Sequence, residues 1–168
     1  MTIIKAKGFI LRPVRLSDAE NIYKYQQDKD VKKGFMTTPK SVEEVKKDIL
    51  KSKRDKTSEK FVIDVGGEAV GKVSINFDDP YHKKKMKISY WIAKDYRGKG
   101  ITTKAVKLVT DYAFKKYKLV RLWAWCRTFN KASARVLEKA GYKLEGISRK
   151  NKCKDGKYLD DMLWAKVR

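Results

Sequence analysis

The chain is poor in the residues that build disulfide frameworks and metal sites. Its 168 residues include 2 cysteines, 1 histidine and 3 prolines. The cysteines, Cys126 and Cys153, have neither the density of a disulfide scaffold nor the spacing of metal ligands, and the histidine is His82. We therefore expect no metal site and no nucleophile of the cysteine–histidine type.

Long apolar runs are also missing. The first residues, MTIIKAKGFILRP, lack the apolar stretch of a signal peptide. No run approaches the roughly 18 apolar residues that a membrane-spanning helix needs. We expect a cytoplasmic protein that does not contact a membrane. The length and the 42% hydrophobic content predict a single domain over residues 1–168.

Acidic residues are scarce relative to basic ones. Lysine and arginine number 42 against 20 aspartates and glutamates, which gives a formal net charge of +22 at pH 7. A field of this size attracts nucleic acid, an anionic cofactor or an acidic protein surface. Lysine enrichment also follows from the overall composition of some proteomes. The charge therefore identifies no partner by itself.

Hydrophobic periodicity and turn residues predict the element order β-α-α-β-β-β-α-β-α-β-β. The first two helices follow two capping-box patterns, Ser17 with Glu20 and Ser41 with Glu44, and residues 32–35 between them are predicted to be a loop. The strands are predicted at residues 8–13, 61–65, 70–77, 86–92, 119–125, 142–147 and 158–167, and the later helices at 100–117 and 130–140. This order indicates a mixed α/β domain.

Residues 66–73, GGEAVGKV, come close to the spacing of a phosphate-binding loop. Val73 stands where that loop needs a serine or threonine to bind magnesium. The segment also lies between two predicted strands, with no helix after it. A β-hairpin with its turn at Gly66-Gly67 is therefore favoured.

Residues 96–105, YRGKGITTKA, lie between a predicted strand and the long predicted helix. A strand that leads through a glycine turn into a helix presents free backbone N–H groups at the positive end of the helix dipole, where phosphate binds. Arg97 and Lys99 add positive charge. A basic glycine-rich turn without a ligand shows the same local sequence. The dinucleotide-binding fingerprint is not matched, because Thr103 stands at the position of its last glycine.

This stretch resembles the acetyl-coenzyme A signature of the GCN5-related N-acetyltransferases (GNAT), written Q/R-x-x-G-x-G/A. Arg97 matches the first position and Gly100 the fourth, whereas Thr102 stands where the family usually has Gly or Ala. A second block, NKAS at 130–133 followed by VLEKAGY at 136–142, is similar to a segment of the RimJ/RimL-like branch, which includes the ribosomal-protein-alanine N-acetyltransferases. The resemblance implies a mixed fold with a predominantly antiparallel central sheet flanked by helices.

The resemblance also implies that acetyl-CoA is the co-substrate. Its phosphates would lie on the glycine turn and its pantetheine arm along the end of the fourth predicted strand, where this strand separates from the fifth. The cofactor-binding residues implied in this way are Tyr90, Trp91, Ile92, Arg97, Gly98, Lys99, Gly100, Ile101, Thr102 and Asn130. Ser133 matches a family serine that protonates or hydrogen-bonds the departing thiolate. Asn130 and Ser133 are equally typical of a helix N-cap and first turn.

An acceptor amine must be neutral to attack, and the chain is poor in residues that could serve as its general base. Some family members carry glutamates at positions where this sequence has Lys87 and Lys152. Asp160 is the best remaining carboxylate that the family pattern matches, and we assign it the catalytic role with Ser133. Asp78 and Asp79 are more typical of a turn.

The scarcity of bases favours an acceptor that needs little help. An α-amine of pKa about 7.7–8.0 is about a tenth neutral at pH 7, whereas a lysine amine of pKa about 10.4 is neutral far less often. The favoured reaction is acetyl transfer to the N-terminal α-amine of a protein. The alternatives are transfer to a small amine such as a polyamine or an antibiotic, and a non-catalytic module that binds RNA or the ribosome. We expect a monomer or a homodimer.

Overall fold

Eight strands form one sheet in the computed structural model, which describes residues 2–77, 79 and 81–168. The strands are β1 (Ile4–Ala6), β2 (Phe9–Pro13), β3 (Ser58–Val65), β4 (Glu68–Asn76), β5 (Lys85–Ile92), β6 (Arg121–Arg127), β7 (Lys143–Lys154) and β8 (Lys157–Val167). The helices are α1 (Ala19–Gln26), α2 (Lys29–Gly34), α3 (Val42–Arg54), α4 (Ile101–Tyr117) and α5 (Lys131–Lys139). Short 3-10 turns precede α1 and follow β5.

The strands lie in the order β1-β2-β3-β4-β5-β6-β8-β7, and every neighbouring pair is antiparallel except β5 and β6. β5 and β6 are parallel and pair only between Lys85–Lys87 and Arg121–Trp123. Beyond these pairs the two strands separate. The structure thus confirms the mixed fold with a predominantly antiparallel sheet, and it confirms that the fourth and fifth predicted strands part.

Helices cover both faces of the sheet. On one face, α4 buries Val106 and Val109 against Ile75 and Ile88, and each of these four side chains is at most 1% exposed. On the other face, a second cluster joins α1 and α3 to the sheet through Ile22, Val45, Ile49, Val62 and Trp91. Burial of one such aliphatic side chain contributes about 1.5–3 kcal/mol relative to its exposure. The opening between β5 and β6 therefore lies between two packed layers.

A buried ion network fixes the chain before α1. Arg12 is 3% exposed, and its Nη2 donates to Asp18 Oδ1 at 2.8 Å. Asp18 Oδ2 also accepts from the backbone N–H of Arg15 at 2.7 Å. The predicted capping box of Ser17 and Glu20 is wrong, because the carboxylate held by Arg12 makes the cap of the preceding turn instead.

Two elements were not predicted from the sequence. β1 has three residues, IKA, which are too few to show a periodicity. α2 includes residues 32–34 of the loop predicted at residues 32–35, and it buries one apolar side chain, that of Val31. Asp28 caps α2, since its Oδ1 accepts from the N–H groups of Asp30 at 3.0 Å and Val31 at 3.2 Å. A helix this short is specified by its cap rather than by an apolar stripe.

The hairpin, the second cap and the longer helices are confirmed. β3 and β4 form a hairpin with its turn at Gly66-Gly67, and Asp64 Oδ1 accepts from the Gly67 N–H at 2.8 Å. Ser41 Oγ accepts from the N–H of Glu44 at 3.1 Å at the start of α3. α4 and α5 lie within the predicted ranges 100–117 and 130–140. β7 continues to Lys154, beyond its predicted end at residue 147, and β8 begins at Lys157, one residue before its predicted start.

Among the helices that the structure describes, none is long and apolar enough to cross a membrane. Asp79 accepts from the Tyr81 N–H at 3.0 Å and from Lys85 Nζ at 2.8 Å, as expected of a turn residue. Asp78, the other carboxylate considered there, lies outside the described residues.

Candidate active site

The chain between β5 and α4 forms an open turn of main-chain atoms. Gly98 and Gly100 have φ angles of 75° and 74°, a left-handed conformation that glycine adopts without strain. Beyond the adjoining residues, no described atom lies within 4 Å of the place that a Cβ would take at either glycine. α4 begins at Ile101, and its first turn contains no acidic residue. Its first N–H groups lie at the positive end of the helix, so the turn can accept a phosphate.

The side chain of Arg97 contacts α2. Its Nη1 lies 3.2 Å from Asp30 Oδ2 and its Nη2 lies 3.4 Å from Asp28 Oδ1. Burial raises the pKa of Asp28. Hydrogen bonds from the Val31 and Asp30 N–H groups and the charge of Arg97 lower it by more, so the net shift is downward. The side chain of Arg97 therefore connects the glycine turn to α2. The neighbouring basic side chain is Lys99, whose Nζ lies 5.5 Å from the centroid of the Tyr96 ring.

Tyr90, Trp91 and Ile92 form the end of β5 at the opening of the sheet. β4 pairs with one edge of this segment, and β6 does not pair with the other edge beyond Lys87. The side chain of Ile92 joins the core under α4, whereas Trp91 packs in the cluster under α1 and α3. Backbone N–H and C=O groups on such an edge require partners. An extended ligand that carries amide groups can supply them.

Tyr90 and Ser133 meet at this opening. Tyr90 Oη lies 2.9 Å from Ser133 Oγ and donates to the Ser133 carbonyl at 3.0 Å. Because the Tyr90 hydroxyl donates its proton to the hydrogen bond with the Ser133 carbonyl, the Ser133 hydroxyl is the donor in the contact between Ser133 Oγ and Tyr90 Oη. Burial raises the pKa of Tyr90, although the hydrogen bond from Ser133 lowers it in part, so the phenol stays protonated. The pair places a hydroxyl donor between β5 and α5.

Asn130 and Cys126 complete the wall behind this pair. Asn130 Oδ1 accepts from the Ser133 N–H at 3.0 Å, so its role as the N-cap of α5 is confirmed. The buried Cys126 thiol donates to the Asn130 carbonyl at 3.4 Å. Burial raises the pKa of Cys126, with Ser133 opposing that shift through a hydrogen bond. Cys126 is therefore a thiol beside Ser133 rather than a reactive thiolate.

Asp160 lies on β8, and its side-chain hydrogen bond in the structure is not to Tyr90 or Ser133. Its Oδ1 accepts from the backbone N–H of Lys150 at 2.7 Å, where the pairing of β7 with β8 shifts register. The next residue, Asp161, is buried and accepts from Arg127 Nη1 at 2.6 Å. The catalytic role of Asp160 stays a prediction.

A groove opens on the α1 and α3 side of the sheet, across the strands from the glycine turn. We call it the β4 groove, because residues on the middle of β4 form its floor. It consists of two adjoining cavities of about 390 Å³ and 300 Å³ that share Phe35, Lys60 and Lys72. The larger one reaches Ser89, Tyr90 and Trp91 on β5. The groove therefore approaches the opening of the sheet from the side opposite to α4.

Sequence reasoning missed three contributors to this region. The side chain of Tyr90 was predicted only as part of a cofactor-binding backbone, Lys72 was assigned to a hairpin strand, and Gly71 was part of the rejected phosphate loop. A Cβ on Gly71 would lie 2.7 Å from the Trp91 carbonyl oxygen, so glycine there permits the close approach of β4 to the end of β5. The strand role of Lys72 and Gly71 followed from the predicted strand at 70–77 and from the lack of a helix after the near-match to a phosphate loop, but neither signal pointed to a groove.

Several known proteins are similar to this chain in sequence. The profile of the acetyltransferase (GNAT) domain family matches residues 9–143. The Bacillus subtilis (strain 168) protein named "Probable N-acetyltransferase YjcK" is 49% identical over 78 residues, which are 46% of this chain and 43% of that protein. From the same strain, "Putative ribosomal N-acetyltransferase YdaF" is 31% identical over 76% of this chain and 69% of its own length. Spermidine N(1)-acetyltransferase of Escherichia coli (strain K12) is 26% identical over 81% of this chain and 73% of its own.

Solved structures share the fold. A GNAT-family acetyltransferase from Bacillus anthracis superposes with a TM-score of 0.88 at 26% identity, over 99% of this chain and 98% of that one. Ribosomal-protein-S5-alanine acetyltransferase from Vibrio fischeri superposes with a TM-score of 0.89 at 23% identity, over 99% and 97%.

The three sequence relatives are all named as acetyltransferases, which favours an enzyme over a non-catalytic module. The open glycine turn and the unpaired end of β5 offer the two kinds of contact that a nucleotide thioester with a pantetheine arm requires. Because the family match spans most of the sequence and agrees with this geometry, the chain belongs to the GNAT acetyltransferase family, whose members use acetyl-CoA as co-substrate.

Proposed function

We propose that the protein transfers the acetyl group of acetyl-CoA to the N-terminal α-amine of a protein or peptide. One observation carries this proposal: each described carboxylate that lines the β4 groove is already bonded within the chain. Asp55 accepts from Thr57 and Ser58, Asp48 pairs with Lys60 at 3.0 Å, and Glu44 accepts from the Lys40 N–H at 2.8 Å. An acceptor with a low amine pKa suits a groove in which the described carboxylates are already engaged.

Acetyl-CoA supplies the activated acyl group, and the chain's own residues would hold it. Residues 98–102 provide main-chain N–H groups for the pyrophosphate, with Lys99 as the adjacent charge. Tyr90, Trp91 and Ile92 provide the free strand edge for the pantetheine amides, with Asn130 at the start of α5 beside it. This arrangement brings the thioester toward the Tyr90–Ser133 pair.

Ser133 would assist departure of the thiol. Its hydroxyl donates toward Tyr90 Oη in the structure, and it can turn to donate to the sulfur that leaves when the amine bonds to the acyl carbon. Tyr90 remains bonded to the Ser133 carbonyl and so holds the start of α5 in place. The amine loses its proton to solvent or, in the role that the family pattern gives it, to Asp160. The departing thiolate takes up a proton that Ser133 relays from solvent.

A polyamine is the second candidate acceptor, since the chain is similar to a spermidine acetyltransferase. A polyamine carries several positive charges, whereas the β4 groove contributes Lys60 and Lys72, and each of its described carboxylates is already bonded within the chain. Like charges placed together oppose binding. The similarity to a protein named as a ribosomal N-acetyltransferase favours a protein N-terminus as acceptor, and the net charge of +22 favours approach to an anionic partner such as ribosomal RNA.

The proposal is tested by thiol release from acetyl-CoA with four acceptors. These are a peptide with a free α-amine and no lysine, the same peptide with its N-terminus blocked, a blocked peptide that contains one lysine, and spermidine. We expect release only with the first, and mass spectrometry should place the acetyl group on its first residue. Faster release with spermidine or with the blocked lysine peptide would overturn the proposal.

A further inference from the structure

Lys72 occupies an unusual place on the floor of the β4 groove. It lies in the middle of β4, between Val62 on β3 and Trp91 on β5, and its side chain lines both cavities. Val62 is fully buried and Trp91 is 5% exposed, so the lysine stem rises from an apolar surface. Among the described residues, no carboxylate forms an ion pair or a hydrogen bond with its ammonium group.

The carboxylates described near Lys72 are bonded to other residues, so its positive charge is not neutralised. Burial lowers its pKa, the positive charge of Lys60 lowers it further, and the charge of Asp48 opposes both. Asp48 already pairs with Lys60 at 3.0 Å. Asp55 has its two oxygens bonded to Thr57 and Ser58. An anion that reaches an unpaired and partly desolvated lysine stabilises its charged form.

Lys72 lies one strand away from the place of acetyl transfer. Lys72 is opposite Trp91 in the β4–β5 register, and neighbouring strands are about 4.8 Å apart. When the amine of an acceptor reaches the end of β5 through the groove, the acceptor atoms next to that amine therefore lie above β4. The side chain of the first or second residue of a peptide is long enough to cover that distance.

Resting on the proposed function, we propose that Lys72 is a specificity residue that binds a carboxylate carried by the acceptor close to its reactive amine. The preferred substrates are thus peptides with an acidic side chain at the first or second residue. A short acceptor can supply the same group as its C-terminal carboxylate. A structural role alone, in which the stem of Lys72 packs and its charge is solvated, would give no such preference.

The test compares matched peptides in steady-state thiol release. Ala-Glu and Ala-Gln sequences are each extended by the same neutral, amidated tail, and free Ala-Ala is compared with its C-terminal amide to separate the two sources of carboxylate. With the wild-type chain we expect the acidic peptide to have a KM lower by about tenfold or more, with kcat little changed. Lys72→Met should abolish that difference, so that its KM values for the acidic and the neutral peptide are equal. Lys5→Met, an exposed change on β1, should leave the difference intact.

A binding measurement separates the failure of this inference from that of the proposed function. The N-acetylated Glu and Gln peptides, which are products and need no turnover, are titrated calorimetrically into the protein with CoA present. Tighter binding of the Glu product, lost in Lys72→Met, supports the role of Lys72 even if another amine proves to be the better acceptor. Equal binding and equal KM for Glu and Gln in the wild-type chain overturn it, even if every α-amine is acetylated. If Lys72→Met does not fold, equal values for the Glu and Gln peptides in the wild-type chain still overturn the inference.

Discussion

The two sides of β5 are built from different parts of the polypeptide. On the α4 side, residues 98–102 and the free strand edge offer mainly backbone N–H and C=O groups. On the α1 and α3 side, the β4 groove offers side chains from three separate elements, including Asp48, Lys60 and Lys72. The groove can therefore change its acceptor without any change in the turn, which is how one fold serves several substrates.

The largest effect should come from breaking the main-chain side of this comparison. Gly100→Val places a β-branched residue at φ 74°, which costs about 1–3 kcal/mol or distorts the turn. We expect CoA affinity to fall by at least about tenfold in a calorimetric titration, because the N–H groups lose their alignment.

Gly156→Val is the matched control for the turn. Gly156 has φ 73° in the turn between β7 and β8, with no described atom near its Cβ position beyond its neighbours. A similar loss of thermal stability with normal CoA affinity is expected there. If both variants bind CoA equally well, the glycine turn is not the phosphate site.

A second prediction concerns the hydroxyl pair between the two sides. Ser133→Ala should lower kcat by about 10²-fold, the lower range for a lost proton donor, with little change in the KM for acetyl-CoA. Tyr90→Phe should give a smaller loss, because the phenol acts by holding Ser133. Tyr142→Phe removes a buried phenol that bonds Thr110 at 2.7 Å, and it serves as the control. A kcat for Ser133→Ala equal to that of Tyr142→Phe would remove Ser133 from the chemistry.

The pH dependence sharpens the description of the groove side. Only the neutral amine attacks, and no described carboxylate in the groove is free to deprotonate it. For a peptide acceptor, kcat/KM should therefore rise tenfold per pH unit at low pH and level off near the pKa of the α-amine, about 7.7–8.0. An inflection well below pH 7 that follows the enzyme rather than the peptide would show that a base had been missed.

The smallest effect is expected at Asp160. Its Oδ1 is committed to the Lys150 N–H, so Asp160→Asn should change kcat by less than about threefold. Asp161→Asn, the adjacent change, should instead cost about 3–5 kcal/mol of unfolding free energy, because it leaves Arg127 buried without its partner. Thiol release measures the kcat of Asp160→Asn, and denaturant unfolding measures the stability of Asp161→Asn. A loss of 10²-fold in kcat for Asp160→Asn would establish the sequence-based assignment of this residue as the base.

The same contrast explains what the sequence could predict. The turn at residues 98–102, the N-cap Asn130 and the hairpin at Gly66-Gly67 are local features, and each was correctly placed because backbone conformation restricts the residues allowed there. The order of the longer elements followed from their periodicity. The glycine turn is thus the part of the candidate site that sequence predicts best.

The rest depends on contacts between distant residues. The cap before α1 moved from Ser17 to Asp18 because Arg12 on β2 binds that carboxylate. α2 has no apolar period and depends on Asp28, which Arg97 contacts from nearly seventy residues away. The pairing of Tyr90 with Ser133 and the isolation of Lys72 likewise arise only when strands and helices meet. No local pattern in the sequence marks such contacts.

Amide hydrogen exchange with and without CoA is the most direct test of the claim that the backbone around β5 holds the co-substrate. We predict slower exchange on CoA addition at residues 98–103 and 88–92, with little change along β7 and β8. Unchanged exchange in both segments at saturating CoA, or protection confined to the β4 groove, would contradict this account of the site.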